Sequence, residues 1–287
     1  MTDYAKKLRE LLARPKMLVA PGCYDALSAK LIQQEGFEAA YMTGFGTSAS
    51  VLGMPDAGLI SFSEMAIHAG NIANAIDIPL IADGDTGYGN AVNVYRTVKA
   101  YARAGVAGLH IEDQVFPKKC GHVAGKKVVP SEEMVGKIRA AADARAEKDI
   151  LIIARTDARV IEGVEPALRR CQAYLEAGAD MIFFEAPESE EELETIGKKI
   201  NAPLLINMAI GGKTPFVPLS RLEGMGFNLA IFPATIMKSA IVGMRQALQR
   251  IKEHPDENPA TDEMSFEDIK TLVGFPEYYE MEAKYGS

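Results

Sequence analysis

Eight short apolar runs constrain this chain more than any other feature. They are "MLVAPG", "AAYMTG", "PLIADGD", "AGLHIED", "LIIARTD", "MIFFEAP", "PLLINMA" and "LAIFPA", spread evenly between residues 17 and 234. Each is nearly continuous in Val, Ile, Leu, Phe and Ala, as a strand buried on both faces should be. Helical patterns separate them: "EMAIHAGNIANAI", "AVNVYRTVKAYARAG", "SEEMVGKIRAAADARA", "EPALRRCQAYLEAG" and "SEEELETIGKKI". Gly105 and Gly178 stand where helix C-caps are expected, and Pro130-Ser131 before Glu132 and Glu133 reads as a helix start. Eight strand–helix units in roughly 235 residues is the arithmetic of an α/β chain closed into a (β/α)8 barrel. A doubly wound open sheet competes, but "APGCYDALSAK" follows the first strand instead of that fold's phosphate-binding glycine fingerprint. The expected organisation is a barrel over residues 1–250. Residues 251–287 then form a polar loop and one or two helices, packing on the barrel or on a neighbouring subunit.

At 287 residues, one large domain is as reasonable as two small ones. With 48% apolar and 24% charged residues the composition is that of a soluble globular protein. The formal net charge of −8 argues against a general nucleic-acid binder. "MTDYAKKLRELLARPK" reads as a short helix with a polar face, without the apolar core and cleavage site of a signal peptide. No run of 18 uncharged apolar residues occurs, so a membrane span is not expected and a cytoplasmic location is. Three widely spaced cysteines, Cys23, Cys120 and Cys171, suit a reducing compartment better than a disulfide framework.

The unusual polar residues follow the strands. Asp83 and Asp85 end the third, Glu112 and Asp113 the fourth, Arg155 and Asp157 the fifth, Glu185 the sixth and Asn207 the seventh. In a (β/α)8 barrel these ends converge on one pocket. A single strand-end aspartate is as readily a helix cap, but several acids together repel one another and lose solvation unless a cation joins them. Oxygen ligands point to Mg²⁺ or Mn²⁺ rather than zinc. Asp83 and Asp85 can both face the ion if the chain turns between them, and Glu112 can reach it from the adjacent strand. The loop "FPKKCGHVAG" holds Lys118, Lys119, Cys120 and His122. His68 and His110 are not placed to complete a zinc site there, and no CxxC is present. A thiol presented on a mobile loop is the preferred reading, with a structural surface loop as the alternative.

The stretches "YMTGFGTSASVLGMPD", "ADGDTGYGN", "GLHIEDQ", "KKCGH", "IIARTDA", "FFEAP" and "NMAIGGKTP", in this order, resemble the phosphoenolpyruvate mutase/isocitrate lyase superfamily over residues 10–250. The ending "LVGFPEYYEMEAKY" is similar too. The resemblance implies a lyase that splits a 2-hydroxy dicarboxylate or tricarboxylate between C2 and C3. It implies Asp83, Asp85 and Glu112 around Mg²⁺, Cys120 as proton donor, and Arg155, Tyr41 and Glu185 in the catalytic group. Thr43, Gly44, Phe45, Asp56, Lys118, Gly121, His122, Asn207, Thr214 and Pro215 would line the substrate pocket. Tyr41 and a metal-bound water both stand as the base for the C2 hydroxyl. Retention of the cysteine favours carbon–carbon cleavage over phosphoryl migration. A homotetramer that exchanges the last barrel helix, in "IMKSAIVGMRQALQRI", is also implied.

The chain lacks the inserted segments of the larger isocitrate lyases. "VAGKKVVP" after the cysteine loop, Phe45 where methylisocitrate lyases carry glycine, and Pro233 where oxaloacetate hydrolases need a serine together favour 2,3-dimethylmalate as substrate, with propionate and pyruvate as products. An apolar ring at Phe45 suits a methylated substrate, each buried methyl contributing about 0.8 kcal/mol. 2-Methylisocitrate cleavage is the next reading, then oxaloacetate hydrolysis.

Overall fold

The structure is a computed structural model that describes residues 3–119, 121, 125–145, 149–255 and 264–286. All eight expected strands are present: β1 (Leu18–Cys23), β2 (Ala40–Met42), β3 (Leu80–Asp83), β4 (Gly108–Glu112), β5 (Leu151–Thr156), β6 (Met181–Phe184), β7 (Leu204–Asn207) and β8 (Leu229–Phe232). They pair in sequence order, all parallel, and β8 returns to β1 to close the barrel. Nearly every strand residue is buried, because the lumen covers one face and helices cover the other.

Among the described residues the helices are α1 (Tyr4–Leu12), α2 (Ala26–Gln34), α3 (Gly44–Thr47), α4 (Phe62–Ala73), α5 (Ala91–Arg103), α6 (Ser131–Ala144), α7 (Arg159–Glu162), α8 (Val164–Glu176), α9 (Glu190–Lys199), α10 (Leu219–Gly224), α11 (Thr235–Glu253), α12 (Phe266–Val273) and α13 (Phe275–Tyr285). A π-helical turn, Ser48–Leu52, extends α3. Local chemistry sets many of the boundaries. Asp25 and Ser28 form a capping box on α2, Ser61 and Glu64 on α4, and Asn90 and Asn93 on α5. Gly105 and Gly178 follow α5 and α8 at φ 95 and 108, the left-handed conformation a C-terminal glycine supplies. At α6, Pro130 occupies the cap position without a side-chain bond, so its start rests on Pro130 and on two acids in the first turn.

The central core runs through the lumen. Ala20, Tyr41, Ile81, Ile153, Phe183, Leu205 and Ile231 form one cluster with Leu8, Leu11 and Leu12 of α1. Those leucines join residues at the strand starts, Leu18, Leu151 and Leu229, so α1 plugs the N-terminal end of the barrel. The C-terminal end is left for polar side chains.

Contacts gather the chain into two compact units, Met1–Thr235 and Ile236–Ser287. In the second, Ser265 and Asp268 form a capping box on α12, and Gly274 at φ 91 separates α12 from α13. No helix among the described residues is long and apolar enough to cross a membrane.

Candidate active site

Strand register decides which strand-end groups meet. Asp83 is paired with His110 in the β3–β4 ladder, and Glu112 with Arg155 in the β4–β5 ladder. Paired side chains on neighbouring parallel strands project to the same side. His110 Nε2 accordingly lies 3.7 Å from Asp83 Oδ1, and Arg155 Nε 3.2 Å from Glu112 Oε2, all four residues being buried.

The chain turns straight after β3, as the carboxylate spacing requires. Asp85 takes φ 47, a left-handed conformation that aspartate tolerates better than most residues. Its amide donates to Asp83 Oδ1 at 2.9 Å, and the Gly44 amide donates to Asp83 Oδ2 at 3.2 Å. A Cβ at Gly44 would collide with that carboxylate, so only glycine permits this approach. Thr43 caps α3 through its side-chain oxygen, which accepts from the Gly46 amide at 3.3 Å.

Two buried cations hold the acids. Lys118 Nζ stands 2.5 Å from Asp56 Oδ1 and 2.6 Å from Asp85 Oδ1. Arg155 Nε donates to Asp157 Oδ2 at 2.9 Å, and its guanidinium lies 5.0 Å over the Phe183 ring. A Cβ at Gly121 would come 2.6 Å from Arg155 Nη2 and collide with Glu185 Oε1, so this peptide lies directly on both side chains. Asn207 Nδ2 donates to Glu185 Oε1 at 3.5 Å. Below them the Tyr41 hydroxyl and His110 Nε2 are 2.8 Å apart, with Phe183 edge-on to the imidazole.

These surroundings move the ionisations apart. Burial works against the Asp83 carboxylate, but His110, Lys118 and Arg155 outweigh it and hold the group down to about 2. Asp85 is pushed up to about 7 by burial, with Asp83 and Asp56 repelling it and Lys118 opposing the shift. Burial likewise drives Glu112 well above the usual carboxylate range, and lowers His110 to about 4, leaving a neutral imidazole. The Tyr41 phenol is pushed far up by burial, which suits holding a proton more than releasing one. The buried thiols Cys23 and Cys171 are also raised, Cys23 to about 12, and neither is a nucleophile.

The structure thus brings together Tyr41, Gly44, Asp56, Asp83, Asp85, Glu112, Lys118, Gly121, Arg155, Glu185 and Asn207. Thr43 flanks them at the head of α3. Phe45 is 41% exposed, and Thr214 and Pro215 are half-buried on the loop after β7. Cys120 and His122 lie outside the described residues. His110 carries a larger part than its dismissal as a zinc ligand allowed, since it joins Tyr41 to Asp83. Its signal was its strand position: two residues before Glu112, it shares that side chain's lumen-facing side.

Among the described residues no three His, Cys, Asp or Glu side chains are already drawn together as a metal group. The donors nevertheless fit a hard divalent cation. They are carboxylates, and Glu112 Oε1 is buried without a hydrogen-bond partner.

The phosphoenolpyruvate phosphomutase family model matches residues 8–252. A 2,3-dimethylmalate lyase of Eubacterium barkeri is 48% identical over 99% of this chain and 98% of its own. The chain belongs to the phosphoenolpyruvate mutase/isocitrate lyase superfamily. A 2-methylisocitrate lyase of Aeropyrum pernix is 43% identical over 96% of this chain and 89% of its own. The crystal structure of a 2,3-dimethylmalate lyase of this superfamily superposes with a TM-score of 0.94, at 40% identity over 100% of this chain and 97% of that one. These similarities agree with the sequence resemblance at both family and fold level.

Proposed function

We propose that this protein cleaves 2,3-dimethylmalate to pyruvate and propionate. The near full-length 48% identity to a lyase named for that substrate carries the reading. A second observation fits it: cations face a buried acid cluster at the barrel end where (β/α)8 enzymes carry their active sites. The 43% identity to a 2-methylisocitrate lyase keeps succinate-yielding cleavage as the second reading.

Asp83, Asp85 and Glu112 would hold Mg²⁺, or Mn²⁺ in its place. When bound, the ion would lower the pKa of the substrate's C2 hydroxyl and orient its C1 carboxylate. Arg155 aims a fixed guanidinium into the pocket, and its bonds to Asp157 stop it from collapsing wholly onto Glu112. Thr43, Gly44 and Phe45 at the head of α3 would bind a substrate carboxylate, the Phe45 amide donating there because the Gly44 amide is given to Asp83. Asp56, His122, Asn207, Thr214 and Pro215 would complete the lining. As the C2 hydroxyl passes its proton to a water in the pocket, the C2–C3 electron pair passes to C3 and C2 becomes the ketone carbon of pyruvate. Cys120 then gives its proton to C3, completing propionate and leaving a thiolate that solvent reprotonates. Lys118 and Arg155 supply positive charge to the departing dianion. Tyr41 would hold its proton toward His110 Nε2 and offer its oxygen as an acceptor that orients the substrate's C2 hydroxyl. We place the protein in the cytoplasm as a homotetramer exchanging its last barrel helix, with residues 251–287 as the extension.

A pyruvate-coupled assay with Mg²⁺ tests this directly for 2,3-dimethylmalate and 2-methylisocitrate, beside chromatographic detection of glyoxylate from isocitrate and of oxalate from oxaloacetate. Preference for dimethylmalate, lost in Cys120→Ala, is expected. Preference for methylisocitrate would move the protein to the second reading, and cleavage of oxaloacetate alone would end the lyase assignment.

A further inference from the structure

The loop between β4 and α6 carries a lysine that the reaction above does not use. Lys126 is 8% exposed, and its ammonium donates to the Gly121 carbonyl at 2.5 Å and to Asp157 Oδ1 at 2.6 Å. A lysine ammonium is seldom buried unless paired, so this one needs both partners. The same Asp157 carboxylate accepts from Arg155 Nε and, at 3.2 Å, from Arg155 Nη2. Asp157 is itself fixed by its amide, which donates to Asp113 Oδ1 at 2.8 Å. Gly121, at the other end of the ammonium, is the peptide that lies on Arg155 and Glu185.

The base of the loop is also tied. Gln114 and Val128 form an antiparallel bridge, and the Gln114 amide both donates to the Lys119 carbonyl at 2.8 Å and accepts from the Lys119 amide at 3.0 Å. Those bonds hold the backbone up to residue 119 but leave the Gly121 carbonyl to Lys126. One side chain therefore links the backbone beside residue 120 to the clamp on Arg155.

We propose that Lys126 is a positioning residue that sets the Gly121 peptide and the Arg155 guanidinium in register with each other. It touches no reacting atom. It acts on the donor side by holding the carbonyl of the residue that follows Cys120, and on the charge-stabilising side by sharing Asp157 with Arg155. Its consequence for catalysis rests on the lyase reading, whereas its consequence for the Gly121 backbone does not.

Lys126→Met and Lys126→Gln, made in the full chain with Mg²⁺ present, separate the two. Hydrogen exchange is followed in peptides covering residues 114–128 and in peptides of β5, beside steady-state cleavage of 2,3-dimethylmalate. The expected result for Lys126→Met is about tenfold or faster exchange in 114–128 with β5 unchanged, and kcat lowered about 100-fold with little change in KM. Lys126→Gln, which keeps one donor, should fall between Met and wild type, and serves alone if Lys126→Met does not fold. Exchange within twofold of wild type in a folded variant overturns the proposal, as does faster exchange with unchanged kcat. If the wild-type chain leaves dimethylmalate intact, the lyase reading fails and the exchange measurement alone decides whether Lys126 holds Gly121.

Discussion

Arg155 makes three demands that no other side chain here could meet together. It pairs with Glu112, forks onto Asp157 and lies over Phe183, which needs a planar group with several donors. Arg155→Lys keeps the charge but loses the fork, and kcat should fall about 100-fold or more, with the melting temperature lowered by the bonds lost to Asp157. Stopped-flow pyruvate release beside a thermal melt checks this. Glu112→Gln removes a carboxylate that lacks a hydrogen-bond partner on one oxygen. Mn²⁺ binding followed by paramagnetic resonance should weaken sharply in that variant, while the barrel's circular dichroism is retained.

At the scale of elements, β4 and β5 are tied to α8 by one buried acid. Asp113 accepts from the Asp157 amide, from Thr156 Oγ1 at 2.7 Å and from the Tyr174 hydroxyl at 2.9 Å, with Arg170 Nη1 3.5 Å away. This network fixes the position from which Asp157 holds Arg155. Tyr174→Phe leaves Asp113 with one bond fewer, and urea denaturation should show a loss of about 1–3 kcal/mol. The barrel seam makes a different demand. A Cβ at Gly22 of β1 would stand 2.6 Å from Pro233 Cα and strike its carbonyl, a backbone that cannot give way as a side chain does. The strands were readable because each is a continuous apolar run, and the longer helices because their stripes and caps are local. The short α3 and α7 were not, since a single turn has no period to recognise.

For the whole molecule, cation binding and pH are linked through the acid cluster. Asp85 binds its proton up to about 7 in the folded chain against 3.8 ordinarily. Across that window the folded state keeps a proton that the unfolded state has released, so the cation-free protein loses stability as pH rises. Glu112, also raised, acts with the same sign. His110, lowered to about 4, opposes both only up to its ordinary 6.5 and is outweighed by the two carboxyls. The lowered Asp83 contributes stability that is lost only as pH falls through about 2. The melting temperature in EDTA should therefore drop between about pH 5 and about pH 7.5, and Mg²⁺ should raise it more at the higher pH. A differential scanning calorimetry series with and without Mg²⁺ checks both. Equal melting temperatures in EDTA at the two pH values would contradict the raised carboxylates.

By itself the sequence determined the eight strands, their crowding with acids at one end and the family, because apolar continuity and strand-end position are local properties of the chain. Tertiary structure alone decided the pairings. Whether Asp85 meets Lys118, whether Glu112 faces Arg155, and whether Lys126 reaches Gly121 and Asp157 depend on ladder register and on loops folding back over the barrel. A one-residue slip in a strand turns a lumen-facing group outward, and no local pattern around Asp83, His110 or Arg155 records which neighbour stands opposite. The polar residues were legible as a set, while their chemistry as individuals depends on tertiary contacts that reach as far as 69 positions along the chain.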